Sequence, residues 1–175
     1  MLVAPVSLCG TVTWHIRQLT PLETHDLRRQ VSADGRPDLT SFAHPMDEVP
    51  GAWHLGATNE SGRVVAISSY FPGPCPWRPG VEPSVQLQFM AVHPPVQRQG
   101  AGTAVLTEAI WRLRATDAVL LWAHARDSAV PFYERFGFAA AEGSGDPGVQ
   151  TDRPHHVIVL DLSARPISSM TQEPS

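Results

Sequence analysis

The stretch PPVQRQGAGTAVL, residues 94–106, places Gly100 and Gly102 one residue apart where an apolar strand gives way to an amphipathic helix. Glycines so spaced let backbone amides approach a ligand with no side chain between. At the opening of a helix those amides sit at the positive end of its dipole, so the segment predicts an anion site suited to phosphate. A Walker loop needs a lysine, and the chain has none, since all 13 basic residues are arginine. A G-x-G-x-x-G dinucleotide fingerprint meets Val105 where its third glycine belongs. The pattern Q/R-x-x-G-x-G/A is satisfied throughout, by Gln97, Gly100 and Gly102. An ordinary glycine turn accounts for the two glycines taken alone.

Elements on both sides must hold such a loop in place. VQLQFMAV (85–92) alternates and then turns continuously apolar, as a central strand does. The helix after the loop gathers Val105, Leu106, Ala109, Ile110 and Leu113 on one face. Upstream, a strand is expected over 14–20, a helix over 21–32 with Pro21 at its opening, and an antiparallel hairpin from 52–59 and 63–71. Two irregular connections interrupt the order, 33–51 and the proline-rich 72–84. Downstream come a buried strand over 118–125, a short helix over 128–138 and a last strand over 155–162. Asp127 or Ser128 should cap that helix and Gly137 end it. The pattern predicts one mixed α/β domain over 14–162, with a flexible leader (1–13) and a disordered tail (163–175).

Composition narrows the function classes. The 175 residues are 42% apolar and 17% charged, with net charge −4, which gives no broad pull toward nucleic acid or an anionic membrane. Neither a signal peptide nor an 18-residue apolar run is present, and two cysteines are too few for a disulfide framework, so a cytoplasmic protein is expected.

From Met90 to Phe138 the chain resembles the GNAT superfamily of acetyl-CoA-dependent N-acetyltransferases. MAVHPPVQRQGAGTAVL is similar to that family's strand–loop–helix pyrophosphate motif, and LLWAHARDSAVPFYERFGF to its next strand and A-x-x-x-Y-x-x-x-G-F helix, here Ala129, Tyr133, Gly137 and Phe138. The resemblance implies a twisted, mostly antiparallel sheet of six to seven strands, splayed at the acetyl-CoA strand and flanked by helices. It implies acetyl-CoA as cosubstrate, with the amides from Gln97 through Arg98, Gln99, Gly100, Ala101 and Gly102 to Thr103 wrapping its pyrophosphate. Met90, Ala91 and Val92 would pair with the pantetheine arm, the amide of Val92 or a neighbour would polarise the thioester carbonyl, and Ser128 would also bind the cofactor. Arg126 stands where relatives often carry asparagine, and would contact the pantetheine region or pair with a coenzyme A phosphate. Tyr133 would be the general acid, its phenol protonated at working pH.

The acceptor must offer a neutral amine, and an alkylamine of pKa about 10.4 is neutral in roughly one molecule per thousand at pH 7. Many relatives carry a glutamate in the first half of the strand before the loop, where this chain has Gln86 and, on the same face, Gln88; neither is a base. His54, inside the apolar AWHLGA, is the first candidate for a catalytic base, a satisfied core histidine being an equal reading. His93 is second, and His124, His155 and His156 follow; no pattern supports a metal. The acceptor pocket is expected between the 33–51 and 72–84 connections, with Trp53, Trp77 and Phe42 as walls; Asp47 and Glu48 would either draw a cationic amine or be solvated. A non-catalytic acyl-CoA-binding module is the alternative, and a homodimer paired across the last strands is compatible with the topology.

Overall fold

The structure, a computed structural model, describes residues 12–32, 43–144 and 155–163. The strands are β1 (His15–Leu19), β2 (Trp53–Thr58), β3 (Val64–Pro72), β4 (Ser84–Val92), β5 (Leu120–Arg126), β6 (Ala139–Ala140) and β7 (His155–Asp161). The helices are α1 (Pro21–Ser32), α2 (Ala101–Arg114) and α3 (Val130–Glu134). All seven strands form one sheet in the order β1-β2-β3-β4-β5-β7-β6. Every neighbouring pair is antiparallel except β4 with β5.

Most expected elements stand within two residues of their predicted ends; the region after β5 differs. There a turn of 3-10 helix (Asp127–Ala129) leads into α3, which is only five residues long. Neither Asp127 nor Ser128 caps it through a side chain; the Asp127 carboxylate lies 3.0 Å from His156 Nε2 instead. Gly137 ends the segment at φ 90°, and Ala139–Ala140 then add the short strand β6, too brief to carry a sequence signal. Phe42 and the chain termini lie outside the described residues, and among those described no helix is long and apolar enough to cross a membrane.

Alternation along β3 divides the sheet into two faces. Ile67 packs with Leu19, Ala91 and Leu27 of α1. Tyr70 belongs to the larger core, where Leu55, Leu87, Val105, Leu106, Ala109 and Tyr133 meet beneath α2 and α3.

Two irregularities shape the middle of the sheet. Where β3 advances from Ile67 to Ser69, β4 runs from Ala91 back to Gln88, one residue more. This is a bulge, and within it Phe89 has φ 52°. The parallel pairing of β4 with β5 covers only Ser84–Leu87 against Leu120–Ala123. Beyond it β5 stays on β7 as far as Arg126, and the two central strands part.

A buried ion pair braces the α1 face at this point. Arg28 donates to both Asp47 oxygens at 2.7 and 2.8 Å and to Ser69 Oγ at 3.0 Å, and its guanidinium lies 4.3 Å from the Phe89 ring centre. Asp47 is therefore neither solvated nor free to draw a substrate amine, because its side chain is 3% exposed and already neutralised. Burial alone would raise its pKa, but the hydrogen bonds from Arg28 and from the His44 amide outweigh it and hold the carboxyl low.

Asp47→Asn should take from the buried Arg28 the carboxylate that holds it bidentately and cost about 3–5 kcal/mol in urea unfolding at pH 7. Because the folded pKa of Asp47 is depressed, this stabilisation is whole above its unfolded pKa of about 4 and is lost as the pH falls through the folded value. The gap between parent and variant should therefore shrink in acid.

Candidate active site

Ahead of α2 the chain makes one 3-10 turn (Pro94–Val96), then passes through two left-handed residues, Arg98 (φ 62°) and Gly100 (φ 89°). Side chains fix this path by taking its carbonyls. Gln97 Nε2 donates to Val92 O at 3.2 Å, Gln99 Nε2 to Pro95 O at 3.0 Å, and Trp14 Nε1 to Gln99 O at 3.0 Å.

The amides divide into two sets. Those of Gln97 and Gln99 donate back to Pro94 O and Val96 O, which narrows the expected run from Gln97 to Thr103. The first bond of the helix is Ala104 N to Gly100 O at 2.9 Å. Arg98, Gly100, Ala101, Gly102 and Thr103 thus have amides with no main-chain acceptor among the described residues. Four consecutive free donors at the start of a 14-residue helix suit an anion.

The two glycines act for different reasons. Gly100 occupies a left-handed conformation that side chains rarely adopt. At Gly102 a Cβ would sit 3.1 Å from Val92 Cγ2 and 3.3 Å from Met90 Cε, so a side chain there would have to push those two aside for the helix to lie this close to the strand.

A cleft of about 810 Å³ opens over this turn, lined by Met90, Val92, Gln97, Arg98, Gly100, Gly102, Thr103, Ser128, Ala129, Phe132, Tyr133 and Arg135. A second, of about 330 Å³, occupies the gap between β4 and β5, with Gln88, Phe89, His124 and Arg126 in its wall. Met90, Ser128, Ala129 and Tyr133 line both. The fit to a coenzyme A diphosphate rests on the free amides, on the bare cradle at Gly102, and on the guanidinium groups of Arg98 and Arg135.

Tyr133 stands where the clefts meet, its ring packed edge-on to Phe132 and Phe138 with centroids 5.1 and 5.4 Å away. Its hydroxyl bonds to no described residue, and burial pushes the phenol up to about 12. At neutral pH it keeps its proton. Deeper in the same core, burial raises the Tyr70 phenol further; Ser68 offsets part of this, though neither hydroxyl makes a hydrogen bond of ordinary length.

His54 does not reach either cleft. It lies on the α1 face, 2% exposed, with Nδ1 2.9 Å from Ser69 Oγ and Nε2 3.7 Å from Asp47. Burial lowers its pKa, Asp47 partly opposes this and Arg28 reinforces it. It is a core histidine within the Arg28–Asp47 network, which corrects the expectation of a base that meets substrate. His93 is likewise engaged, its Nδ1 2.9 Å from Gln30 Oε1.

His124 does line the gap, held edge-on between Trp77 and Trp122 at centroid distances of 6.2 and 5.6 Å. Alternation along β5 was the available signal, since it puts Trp122, His124 and Arg126 on one face. Phe132 and Arg135, not among the expected site residues, join Ser128 in the wall at helical i, i+4, i+7 spacing, which is the signal that marks them in the sequence. Trp77, 40% exposed, stands beside His124 but in the wall of neither cleft. Trp53, by contrast, stacks on Tyr70 at 4.1 Å on the opposite face, which corrects its expected place in the acceptor wall. Gln86 and Gln88 bond to one another, Gln88 Nε2 donating to Gln86 Oε1 at 2.8 Å.

Comparison with known proteins agrees with this geometry. The acetyltransferase (GNAT) family model matches residues 16–138, and the chain belongs to that family. No curated protein matches it by sequence. Among solved structures it is similar to a GNAT-family protein from Desulfovibrio desulfuricans, with TM-score 0.62 and 23% identity over 86% of this chain and 100% of that one. It is also similar to an acyl-CoA N-acyltransferase from Pseudomonas aeruginosa, with TM-score 0.63 and 20% identity over 85% and 98%. An aminoglycoside 6'-N-acetyltransferase complexed with coenzyme A aligns with TM-score 0.66 and 12% identity over 87% and 99%. Family and fold support acyl transfer.

Gly102→Val should abolish any rise in melting temperature that acetyl-CoA gives the parent, because the added side chain presses on Val92, Met90 and Phe132 and narrows the cleft they line. The check is a thermal-shift titration, with circular dichroism confirming that the variant folds.

Proposed function

We propose that this protein transfers an acetyl group from acetyl-CoA to an amine, with both substrates bound together. Acetyl-CoA supplies an acyl group activated as a thioester. The free amides of Arg98 and Gly100–Thr103 would hold its diphosphate, with Arg98 and Arg135 adding charge. The edge of β4 beyond Leu87, left without a β5 partner, gives main-chain groups for the pantetheine arm.

The acceptor would enter the gap from the α1 face, between residues 43–48 and the loop that carries Trp77. His44 marks the first border, its ring 5.1 Å from that of Phe89. His124 Nε2 or Nδ1 takes the amine proton there, since the strand offers glutamines where a carboxylate would serve. Tyr133 Oη holds its proton at neutral pH and releases it where a leaving thiolate needs one.

The observation that carries this reading is the unbonded, protonated Tyr133 hydroxyl at the junction of the two clefts. A non-catalytic acyl-CoA-binding module is the second reading, favoured by the Gln86–Gln88 pair; release of free thiol with an amine panel separates the two.

Tyr133→Phe should lower kcat at least tenfold while leaving the KM for acetyl-CoA within about twofold; thiol release at the parent rate would remove the proposed acid. His124→Gln should reduce kcat/KM about a hundredfold at pH 7 and recover part of it at pH 9, where more of the amine is neutral. A flat pH profile for the ratio of variant to parent would rule His124 out as the base.

A further inference from the structure

Arg126 is a half-buried arginine in the wall of the gap between β4 and β5, and its guanidinium makes no ion pair or hydrogen bond with any described residue. Other charges nearby are matched: Asp127 meets His156, and Arg28 meets Asp47. Arg126 is also absent from the wall of the larger cleft, where Arg98 and Arg135 face the diphosphate turn. Two residues along β5, and so about 7 Å away on the same face, stands His124. No carboxylate lines this gap among the described residues, so nothing described there favours a polycation, while Arg126 offers a fork of donors that fits a carboxylate in bidentate fashion.

We infer that the acceptor is an amine that also bears an anionic group, in the simplest case an α-amino acid. Arg126 binds the carboxylate while His124 faces the amine. This rests on the transfer reading above and deepens it. It assigns Arg126 to the acceptor and not to the coenzyme A diphosphate, because Arg126 lines the gap and is absent from the wall of the cleft over the turn.

The test is thiol release with matched probes: phenylalanine against phenethylamine, tryptophan against tryptamine, alanine against ethylamine, with spermidine and kanamycin as polycations. The parent should favour the amino acid over its decarboxylated partner at least tenfold in kcat/KM in one or more pairs, and should prefer it to both polycations. Arg126→Gln should collapse that ratio toward one through the KM of the amino acid, with the KM for acetyl-CoA within about twofold. Arg126→Lys, which keeps the charge but loses the fork, should restore part of the ratio.

Preference for the decarboxylated amines or the polycations overturns the inference, as does a ratio unchanged in Arg126→Gln. A variant effect confined to the KM for acetyl-CoA overturns it too, by returning Arg126 to the cofactor. In each of these cases transfer itself stands. Absence of thiol release with every probe, while acetyl-CoA still raises the melting temperature, contradicts the transfer reading and takes this inference down with it.

Discussion

The parting of β4 from β5 is the constraint on which the rest of the molecule depends. Parallel strands paired along their whole length would bury every main-chain group between them and leave no passage through the sheet. Here pairing stops at Leu87 and Ala123, and the extra residue in β4 turns the strand away. The bulge puts Phe89 in a left-handed conformation that a bulky residue avoids unless its surroundings enforce it. The Arg28 guanidinium, locked by Asp47 against the Phe89 ring, forms part of those surroundings.

That opening joins two environments of different chemistry. Beneath α2 and α3 lie free amides, glycines and two arginines, an arrangement suited to phosphate. Toward α1 lie an imidazole between two tryptophans, a pair of glutamines and one arginine with no partner among the described residues. Tyr133 touches both sides, and its burial keeps the phenol protonated through the physiological range. In the reading we propose, the turn before α2 supplies binding and register and the gap supplies the proton chemistry.

Much of this was legible in the sequence because it is local. The QRQGAG turn, the apolar stripe of α2 and the position of Tyr133 are set by spacing within a few residues, and the structure puts the turn and Tyr133 in the wall of one cleft and buries the stripe in the core. What escaped the reading depends on partners far apart in the chain. From its strand alone, His54 reads equally as a base or as a satisfied core histidine; Ser69 and Asp47 occupy it through pairing across β2 and β3 and through the return of residues 43–48. Asp47 looked like a solvated acid because its partner, Arg28, lies 19 residues earlier. Trp53 and Trp77 were both candidate walls; register across β2 and β3 puts Trp53 against Tyr70, while the loop before β4 brings Trp77 beside His124. Gln97 and Gln99 fit the phosphate motif by type, yet their side chains brace the loop's carbonyls and their amides close its turn.

The central claim is that a defined set of backbone donors holds the diphosphate. Residue-resolved amide hydrogen exchange with and without saturating coenzyme A tests it most directly. The account predicts added protection at Arg98 and Gly100–Thr103, with Gln97 and Gln99 changing little because their amides are already bonded. Unchanged exchange across Arg98–Thr103 in the presence of bound coenzyme A would contradict it.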